Sequence, residues 1–128
     1  MKIEHIGLSV KDPISMANWY VANLGFVIRR TNGTDQKGLA FISDPSQETM
    51  LELFNNNVTP PLDPAAMSPL IVHIAVKSSD PEADLQRLVK AGCVYVEGDP
   101  KATTSDVLVL LRDPWGMVIQ LAKRLKDF

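Results

Sequence analysis

The two histidines of this chain occur in nearly the same short sequence. His5 lies in Ile-Glu-His-Ile-Gly and His73 in Ile-Val-His-Ile-Ala, and no other histidine occurs among the 128 residues. Neutral imidazole is the commonest metal-binding side chain in proteins. The repeated context therefore predicts either a metal site or a pair of hydrogen-bonded strand histidines, and it defines an offset of 73 − 5 = 68 positions.

The same offset aligns a carboxylate with an amide, and one Asp-Pro pair with another. Self-similarity at one fixed offset indicates a duplicated structural unit. We therefore expect two copies of one unit in this chain. The further aligned positions are Glu52 with Gln120, and Asp12-Pro13 with Asp80-Pro81.

Each copy contains the signals that begin and end a helix. An Asp-Pro pair places an N-capping side chain before a proline in the first helical turn. Gly25 and Gly92 follow as C-terminal stops, so each copy is predicted to hold one helix of about three turns. The apolar residues between these signals recur at helical spacing: Ile14, Ala17, Tyr20, Val21 and Leu24, then Leu85, Leu88 and Val89.

The remaining apolar runs are typical of strands, with turns predicted at 32–33, 44–45 and 113–116. We expect the unit β-α-β-β-β twice, in an α+β architecture whose two sheets pack together with the helices outside. The strands predicted after the helices cover residues 26–30, 38–42 and 50–54, then 94–97, 107–112 and 118–122.

A proline-rich segment separates the copies. Residues 55–69 hold four of the nine prolines and almost no periodic apolar pattern, which is typical of a stiffened connector. We expect one domain made of module one (residues 1–55), a linker (56–69) and module two (70–128), because neither copy alone is expected to bury its sheet.

Strand alternation places the polar residues of interest on one face. Successive strand residues point to opposite faces of a sheet, so His5 and Gly7 lie opposite the apolar Ile6 and Leu8. Small and apolar neighbours predict an apolar pocket with a few polar groups at its floor. The same division in the other strands leaves three more polar residues on the face of His5: Glu52, His73 and Gln120.

These four side chains have two interpretations. They form a hydrogen-bonded cluster, or they bind a divalent metal, because burying Glu52 without a cation or strong donors costs several kcal/mol. Imidazole and oxygen ligands together suit Ni, Co, Zn and Mn. His5, His73 and Glu52 also form the two-histidine, one-carboxylate set that binds Fe(II) in oxygenases.

Five segments resemble the vicinal oxygen chelate superfamily, which includes glyoxalase I, methylmalonyl-CoA epimerase, extradiol dioxygenases, fosfomycin resistance enzymes and bleomycin resistance proteins. The segments are I-E-H-I-G-L-S-V-K-D-P, the helix with W-Y that ends in L-G-F, L-E-L-F, L-I-V-H-I-A-V, and R-D-P-W-G-M-V-I-Q-L. The resemblance covers nearly the whole chain. It implies paired βαβββ modules in a glyoxalase-like, cup-shaped, incompletely closed barrel. It also implies a divalent metal ion (Ni, Co, Zn, Mn or Fe) on the floor, held at the positions of His5, Glu52, His73 and Gln120.

The last of these positions departs from the usual pattern, which has glutamate where this chain has Gln120. An amide carbonyl still serves as a metal ligand, but an amide is not a general base. The ligand inventory equals that of the methylmalonyl-CoA epimerase pattern, with Glu and Gln exchanged between the halves. In the glyoxalase I pattern a carboxylate ligand also accepts the proton, so the resemblance leaves Glu52 as the candidate catalytic base.

Three functions follow as hypotheses. The first is an isomerase or lyase that chelates vicinal oxygens of a small substrate and removes a proton next to a carbonyl. The second is a protein of the bleomycin-resistance type, which sequesters a small molecule without catalysis. The third, ranked below these, is an Fe(II) dioxygenase, because extradiol enzymes place their carboxylate at the position of Gln120.

Composition excludes several classes of partner. Thirteen basic and fifteen acidic residues give a net charge of −2, and the basic residues are scattered, so no nucleic acid partner is expected. No apolar run approaches the roughly 20 residues that span a bilayer, and the N-terminus lacks signal-peptide features. We expect a cytoplasmic protein, a small-molecule ligand and, from the resemblance, a homodimer.

Other residues give weaker signals. A single cysteine, Cys93, follows a helix stop and is expected to be a small buried apolar group. Four basic residues have two interpretations, as a carboxylate or phosphate subsite or as solvated surface residues, with Lys77 favoured for the subsite because it shares the strand face of His73. The four are Arg29, Arg30, Lys77 and Arg112.

Overall fold

The computed structural model describes residues 1–126 and divides the chain into two units between Leu62 and Asp63. Each unit contains one copy of the repeat. The first is β1 (His5–Ser9), α1 (Pro13–Leu24), β2 (Val27–Gly33), β3 (Gly38–Ser43) and β4 (Met50–Asn55). The second follows a short 3₁₀ helix (Pro64–Ala66) and is β5 (His73–Lys77), α2 (Pro81–Lys90), β6 (Val94–Glu97), β7 (Val107–Arg112) and β8 (Val118–Lys123).

The two modules have the same sheet topology. The strand orders are β1-β4-β3-β2 and β5-β8-β7-β6, with the first pair of each sheet parallel and the others antiparallel. The α+β class and the two βαβββ modules expected from the sequence are confirmed. No helix in the described part of the chain is long and apolar enough to cross a membrane.

The repeat extends to the pairing of individual residues. Gly7 pairs with Glu52 in the first sheet, and Ala75 pairs with Gln120 in the second, at the offset of 68. The second strand of each module also contains a register shift, between Ile28 and Arg30 in β2 and between Tyr95 and Glu97 in β6. A β-bulge bends a strand and re-aims its side chains, so both sheets bend at corresponding places.

The helices cover only part of each sheet. In module one, α1 packs on β2, β3 and β4, where Ile42 and Leu53 are fully buried. Ile6 lies on the same sheet face but is half exposed, because β1 is an edge strand. Strand alternation predicts that Ile6 belongs to the helix-packed core, and the exposure of its side chain shows that this prediction is wrong. The sheet face away from the helix is called the distal face below.

The two helices begin differently. The side chain of Asp80 accepts a hydrogen bond from the backbone of Ala83 at 3.1 Å, as an N-cap is expected to do. Asp12 occupies the N-cap position of α1 before Pro13, as predicted, but its side chain makes no capping hydrogen bond. Asp35, in the β2–β3 connection, accepts instead from the backbone N–H groups of Ile14 and Ser15 at 2.8 and 2.9 Å.

The predicted turn at 32–33 is also wrong, because β2 continues through Gly33 and the connection lies at 34–37. The expected linker is divided between the two units. Its first part is tied to β1, where the backbone of Leu62 donates to Ser9 at 2.7 Å. Its second part is tied to β7, where Arg112 donates to the carbonyls of Pro64 and Met67 at 2.6 and 2.7 Å.

Candidate active site

Two of the sequence-predicted site residues meet on the distal face of module one. The Nε2 atom of His5 lies 3.5 Å from the Oε2 atom of Glu52. The strand β1 supplies the histidine and its parallel neighbour β4 supplies the glutamate, which lies two residues beyond Met50, the register partner of His5. Both side chains are partly exposed, at 37% and 22%. Register and alternation in the first sheet therefore create a pair of one imidazole and one carboxylate that solvent or a ligand reaches.

The His5 ring is held from two further sides. Its Nδ1 atom is hydrogen-bonded to the carboxylate of Glu4, and its ring packs edge-on against Phe41 with centroids 5.4 Å apart. The hydrogen bond with Glu4 raises the pKa of His5, against a lowering by desolvation, and the charges of Glu4 and Glu52 raise it further. A carboxylate on one ring nitrogen orients the imidazole and fixes the direction of the other nitrogen.

Gly7 leaves the space that the Glu52 carboxylate occupies. A Cβ atom at this position would lie 3.3 Å from Glu52 Oε2 and 3.8 Å from a ring carbon of Phe54. That first distance is tighter than an ordinary van der Waals contact. The corresponding residue in module two is Ala75, opposite Gln120. The glycine therefore sets the position of the carboxylate in the first module only.

A groove of about 470 Å³ opens beside Glu52. Leu39 and Phe54 form its apolar part, and Lys37 supplies a cation. Apolar walls with few polar groups are typical of small-molecule sites. The complete lining is Asn32, Gly33, Lys37, Gly38, Leu39, Glu52, Phe54, Asn55 and Asn56.

Hydrogen bonds anchor the wall of this groove to helix α1. The amide of Asn55 donates to the carbonyls of Lys11 and Asp35 at 3.0 and 3.2 Å, and Asp35 binds the first turn of the helix. Burial acts to raise the pKa of Asp35, but hydrogen bonds from the hydroxyl and backbone of Ser15 and from the backbone of Ile14 lower it overall. The 34–37 connection is therefore fixed to the helix while its end faces the groove.

The other two predicted site residues lie on the distal face of module two. His73 is exposed, whereas Gln120 is buried to 9% exposure. Neither side chain has a hydrogen-bond partner within residues 1–126. The amide of Gln120 therefore has hydrogen-bonding and metal-binding capacity that is available to a ligand on the distal face.

The donor set suits a divalent metal, although each module supplies only part of it. Nitrogen and oxygen atoms bound to one ion at about 2.0–2.2 Å lie about 3 Å apart, so the 3.5 Å separation of His5 and Glu52 is compatible with a shared ion. Among residues 1–126 there is no cluster of three or more His, Cys, Asp or Glu side chains placed to hold a metal. His73 and Gln120 are the corresponding pair of donors in module two.

Several contacts were outside the reach of sequence reasoning. Glu4 is adjacent to His5, but no sequence pattern indicates that its carboxylate contacts the imidazole. Of the groove residues, Asn32 lies in a predicted turn and Lys37 lies beyond it, so neither was predicted to line a site. Arg112, a candidate for an anion subsite, instead donates to three backbone carbonyls, including that of Gly116 at 2.9 Å. Cys93 is 4% exposed, and burial raises the pKa of its thiol to about 11, as expected for an unreactive apolar group.

Comparison with solved structures shows the same fold in several proteins. A glyoxalase family protein from Bacillus cereus matches with a TM-score of 0.78 at 18% identity, over 98% of this chain and 95% of that chain. TnmS3, an antibiotic-binding protein from Streptomyces sp. CB03234, matches with a TM-score of 0.71 at 21% identity, over 97% and 96%. A glyoxalase I mutant from Zea mays matches with a TM-score of 0.72 at 20% identity, over 98% of this chain and 46% of the maize chain.

Sequence comparison identifies the family. No curated protein sequence is significantly similar to this chain. A family model, in contrast, matches residues 2–121, which include both modules and all four predicted site residues. Members of that family commonly bind divalent metals and small molecules. The chain belongs to the Glyoxalase/Bleomycin resistance protein/Dioxygenase superfamily.

Proposed function

We propose that this protein is a metal-dependent isomerase or lyase that acts on a small substrate with vicinal oxygens, by removing a proton next to a carbonyl. The observation that carries the proposal is the 3.5 Å contact of His5 with Glu52 beside a groove of about 470 Å³. His5, Glu52, His73 and Gln120 would hold the metal. A bound divalent metal supplies Lewis acidity, which stabilises negative charge on substrate oxygens.

Glu52 is the base in this proposal. Its carboxylate takes the proton from the carbon next to the carbonyl, and the C–H electron pair moves into the carbonyl group to give an enediolate. The same carboxyl group then returns the proton to one of the two carbons of the enediolate. Gln120 does not replace it, because an amide accepts no proton near neutral pH. Gly7 and His5 position the carboxylate from two sides, so one module supplies the group that moves the proton and the neighbours that hold it.

The groove gives this base a substrate site. Glu52 lines it together with Leu39 and Phe54, so an apolar substrate body excludes water from the side of the carboxylate that faces the groove. Exclusion of water strengthens the electrostatic interactions of the reacting groups. Lys37 lies in the same lining and would attract a substrate that carries negative charge.

The test is exchange of the substrate α-proton for deuterium in D₂O, followed by proton NMR. The probes are 2-hydroxyketones and thiol adducts of 2-oxoaldehydes, offered to protein loaded separately with Ni, Co, Zn, Mn or Fe(II). Glu52→Gln is expected to abolish exchange while part of the metal affinity remains. Glu48→Gln, an exposed carboxylate in the β3–β4 connection, is the control. Exchange by Glu52→Gln at the rate of the control would contradict the assignment of the base.

A metal-independent binding protein is the second candidate, favoured by the two apolar residues in the lining of the groove. Leu39 and Phe54 provide contact area without chemistry. Metal content separates the two candidates. Protein prepared without chelator is tested by mass spectrometry for binding of the five metals. If it binds none of them but binds an aromatic ligand, and Phe54→Ala weakens that binding, the binding function replaces the catalytic one.

A further inference from the structure

A second pocket lies at the ends of β5 and β8 in module two, with a volume of about 400 Å³. Five of its six lining residues are basic residues or serines. Within the described part of the chain no carboxylate lines it. The lining residues are Lys77, Ser78, Ser79, Ala122, Lys123 and Arg124.

The walls of this pocket are fixed by hydrogen bonds from outside it. The backbone of Ser78 donates to the carbonyl of Ala122 at 3.0 Å, which joins the ends of the two strands. The hydroxyl of Ser78 donates to Asp84 at 2.6 Å, and the guanidinium of Arg124 donates to Asp106 at 2.8 Å. Two carboxylates at the border therefore orient lining residues. The pocket is built on strand ends rather than on an isolated surface loop.

The lining of this pocket is basic, whereas the chain as a whole has a negative net charge. The chain has a net charge of −2, yet three basic side chains share this one concavity: Lys77, Lys123 and Arg124. Cations crowded together repel one another, and an oxyanion between them reverses the sign of that interaction. Lysine and arginine form charge-assisted hydrogen bonds with phosphate and carboxylate oxygens, and the hydroxyl of Ser79 adds a neutral donor.

The corresponding place in module one lacks this character. At the offset of 68 its residues are Ser9, Val10, Lys11, Phe54, Asn55 and Asn56. Only one of these six is basic, and the last three line the groove beside Glu52. Both modules therefore form a concavity at the end of the last strand, but three cations are present in the second only. The basic cluster is a property of module two and not of the repeated fold.

We propose that the pocket of module two binds a small oxyanion, either free or as the terminal phosphate or carboxylate group of a larger ligand. Phosphate is expected to bind more tightly than carboxylate, because a dianion interacts with several of the cations at once. This binding is independent of the proposed function, since the pocket contains none of the four residues assigned to the metal. Its failure and the failure of the catalytic proposal are therefore separate results.

The test is a titration of the full-length protein by amide NMR at constant ionic strength. The probes are inorganic phosphate, phenyl phosphate and acetate. Saturable shifts at Ser78, Ser79 and Lys123 are expected with at least one probe, and the probe with the lowest Kd identifies whether free phosphate, esterified phosphate or carboxylate is preferred. Lys123→Asn, which introduces the residue of module one, is expected to weaken binding about fivefold.

A matched charge variant separates this site from a general charge effect. Lys37→Gln also removes one positive charge, but at the groove of module one, and it is expected to change the Kd less than twofold. Lys77→Gln gives an independent second variant within the pocket if Lys123→Asn is poorly folded. Shifts that do not saturate with any probe, or equal weakening by Lys37→Gln and the pocket variants, would overturn the proposal.

Discussion

Module one and module two place their central distal-face residues at the same register, as Gly7 opposite Glu52 and Ala75 opposite Gln120. The side chains nevertheless differ in charge, size and burial. Glu52 is partly exposed beside a groove, whereas Gln120 is buried and without a hydrogen-bond partner in residues 1–126. The backbone is thus repeated while the chemistry is not.

The two histidines show the same contrast. His5 is held by Glu4 and Phe41, whereas the described residues provide no such partner for His73. Backbone pairing depends on patterns that many sequences satisfy, but orientation of a polar side chain depends on specific neighbours. The half of the proposed site in module one is therefore organised by residues of that module, whereas the half in module two has no such neighbours among the described residues.

The largest expected effect comes from the unlike pair of Glu52 and Gln120. Glu52→Gln is expected to slow α-proton exchange by about 10²–10⁴-fold, the usual contribution of a general base. Gln120→Glu is expected to retain exchange but to lower the free energy of unfolding by about 1–3 kcal/mol at pH 7, because a buried carboxylate without donors is costly. The rates come from NMR and the stabilities from urea unfolding. Equal rates in the two variants would contradict the asymmetry.

The next effect contrasts Arg112 with Ser43, which occupy equivalent positions in β7 and β3. Arg112→Gln is expected to cost about 2 kcal/mol in urea unfolding, because its guanidinium donates to three backbone carbonyls. The hydroxyl of Ser43 is buried without a partner, so Ser43→Ala is expected to be neutral or stabilising. Arg29→Gln, at an exposed arginine, controls for loss of charge. A destabilised Ser43→Ala protein would show that the hydroxyl has a partner.

The two helix starts give an intermediate effect. Asp35→Ala and Asp80→Ala are each expected to cost about 1 kcal/mol, and only the Asp35 variant is expected to loosen the groove of module one. The lowered pKa of Asp35 means that its contribution is present above the pKa of the unfolded chain and is lost as pH falls through the pKa of the folded chain. Urea unfolding between pH 3 and pH 7 measures this. The stability difference between wild type and Asp35→Ala should shrink in the acidic part of that range, and a constant difference would contradict it.

The smallest effect contrasts Gly7 with Ala75. Gly7→Ala is expected to leave the fold intact. It is also expected to raise the free energy of unfolding by less than about 1 kcal/mol, because alanine lowers the conformational entropy of the unfolded chain. Its new methyl group would lie 3.3 Å from the Glu52 carboxylate, so α-proton exchange is expected to fall severalfold. The reverse change in module two, Ala75→Gly, is expected to cost about 0.5–1 kcal/mol without a change in rate. Unchanged exchange in Gly7→Ala would show that the carboxylate has room to move.

Much of the fold was predictable because it rests on short patterns. Period-two alternation assigned the distal face of His5, Glu52 and Gln120 correctly, and the Asp-Pro and Gly25 signals matched the limits of α1 at Pro13–Leu24. The offset of 68 also placed Glu52 and Gln120 at equivalent positions, which the strand pairing confirms. Such features depend on neighbouring residues in the chain or on alternation along one strand, so the sequence contains them directly.

The contacts that complete the site were not predictable in this way. Asp35 binds the start of α1 from a connection about twenty residues away, and Lys37 reaches the groove from the same connection. Lys123 and Arg124 meet Lys77 only because β5 and β8 are adjacent and parallel. Loop conformation and the choice of neighbouring strand determine such contacts, and neither has a local sequence signal.

The buried Cys93 makes the chain suited to site-specific labelling. A thiol with a pKa of about 11 and 4% exposure contains almost no accessible thiolate at neutral pH, and thiolate is the form that reacts with maleimides. A cysteine introduced at an exposed position therefore becomes the one reactive thiol in residues 1–126. Fluorophores at Lys37→Cys and Lys123→Cys would report ligand arrival in the groove of module one and in the pocket of module two separately, with the natural cysteine left in place.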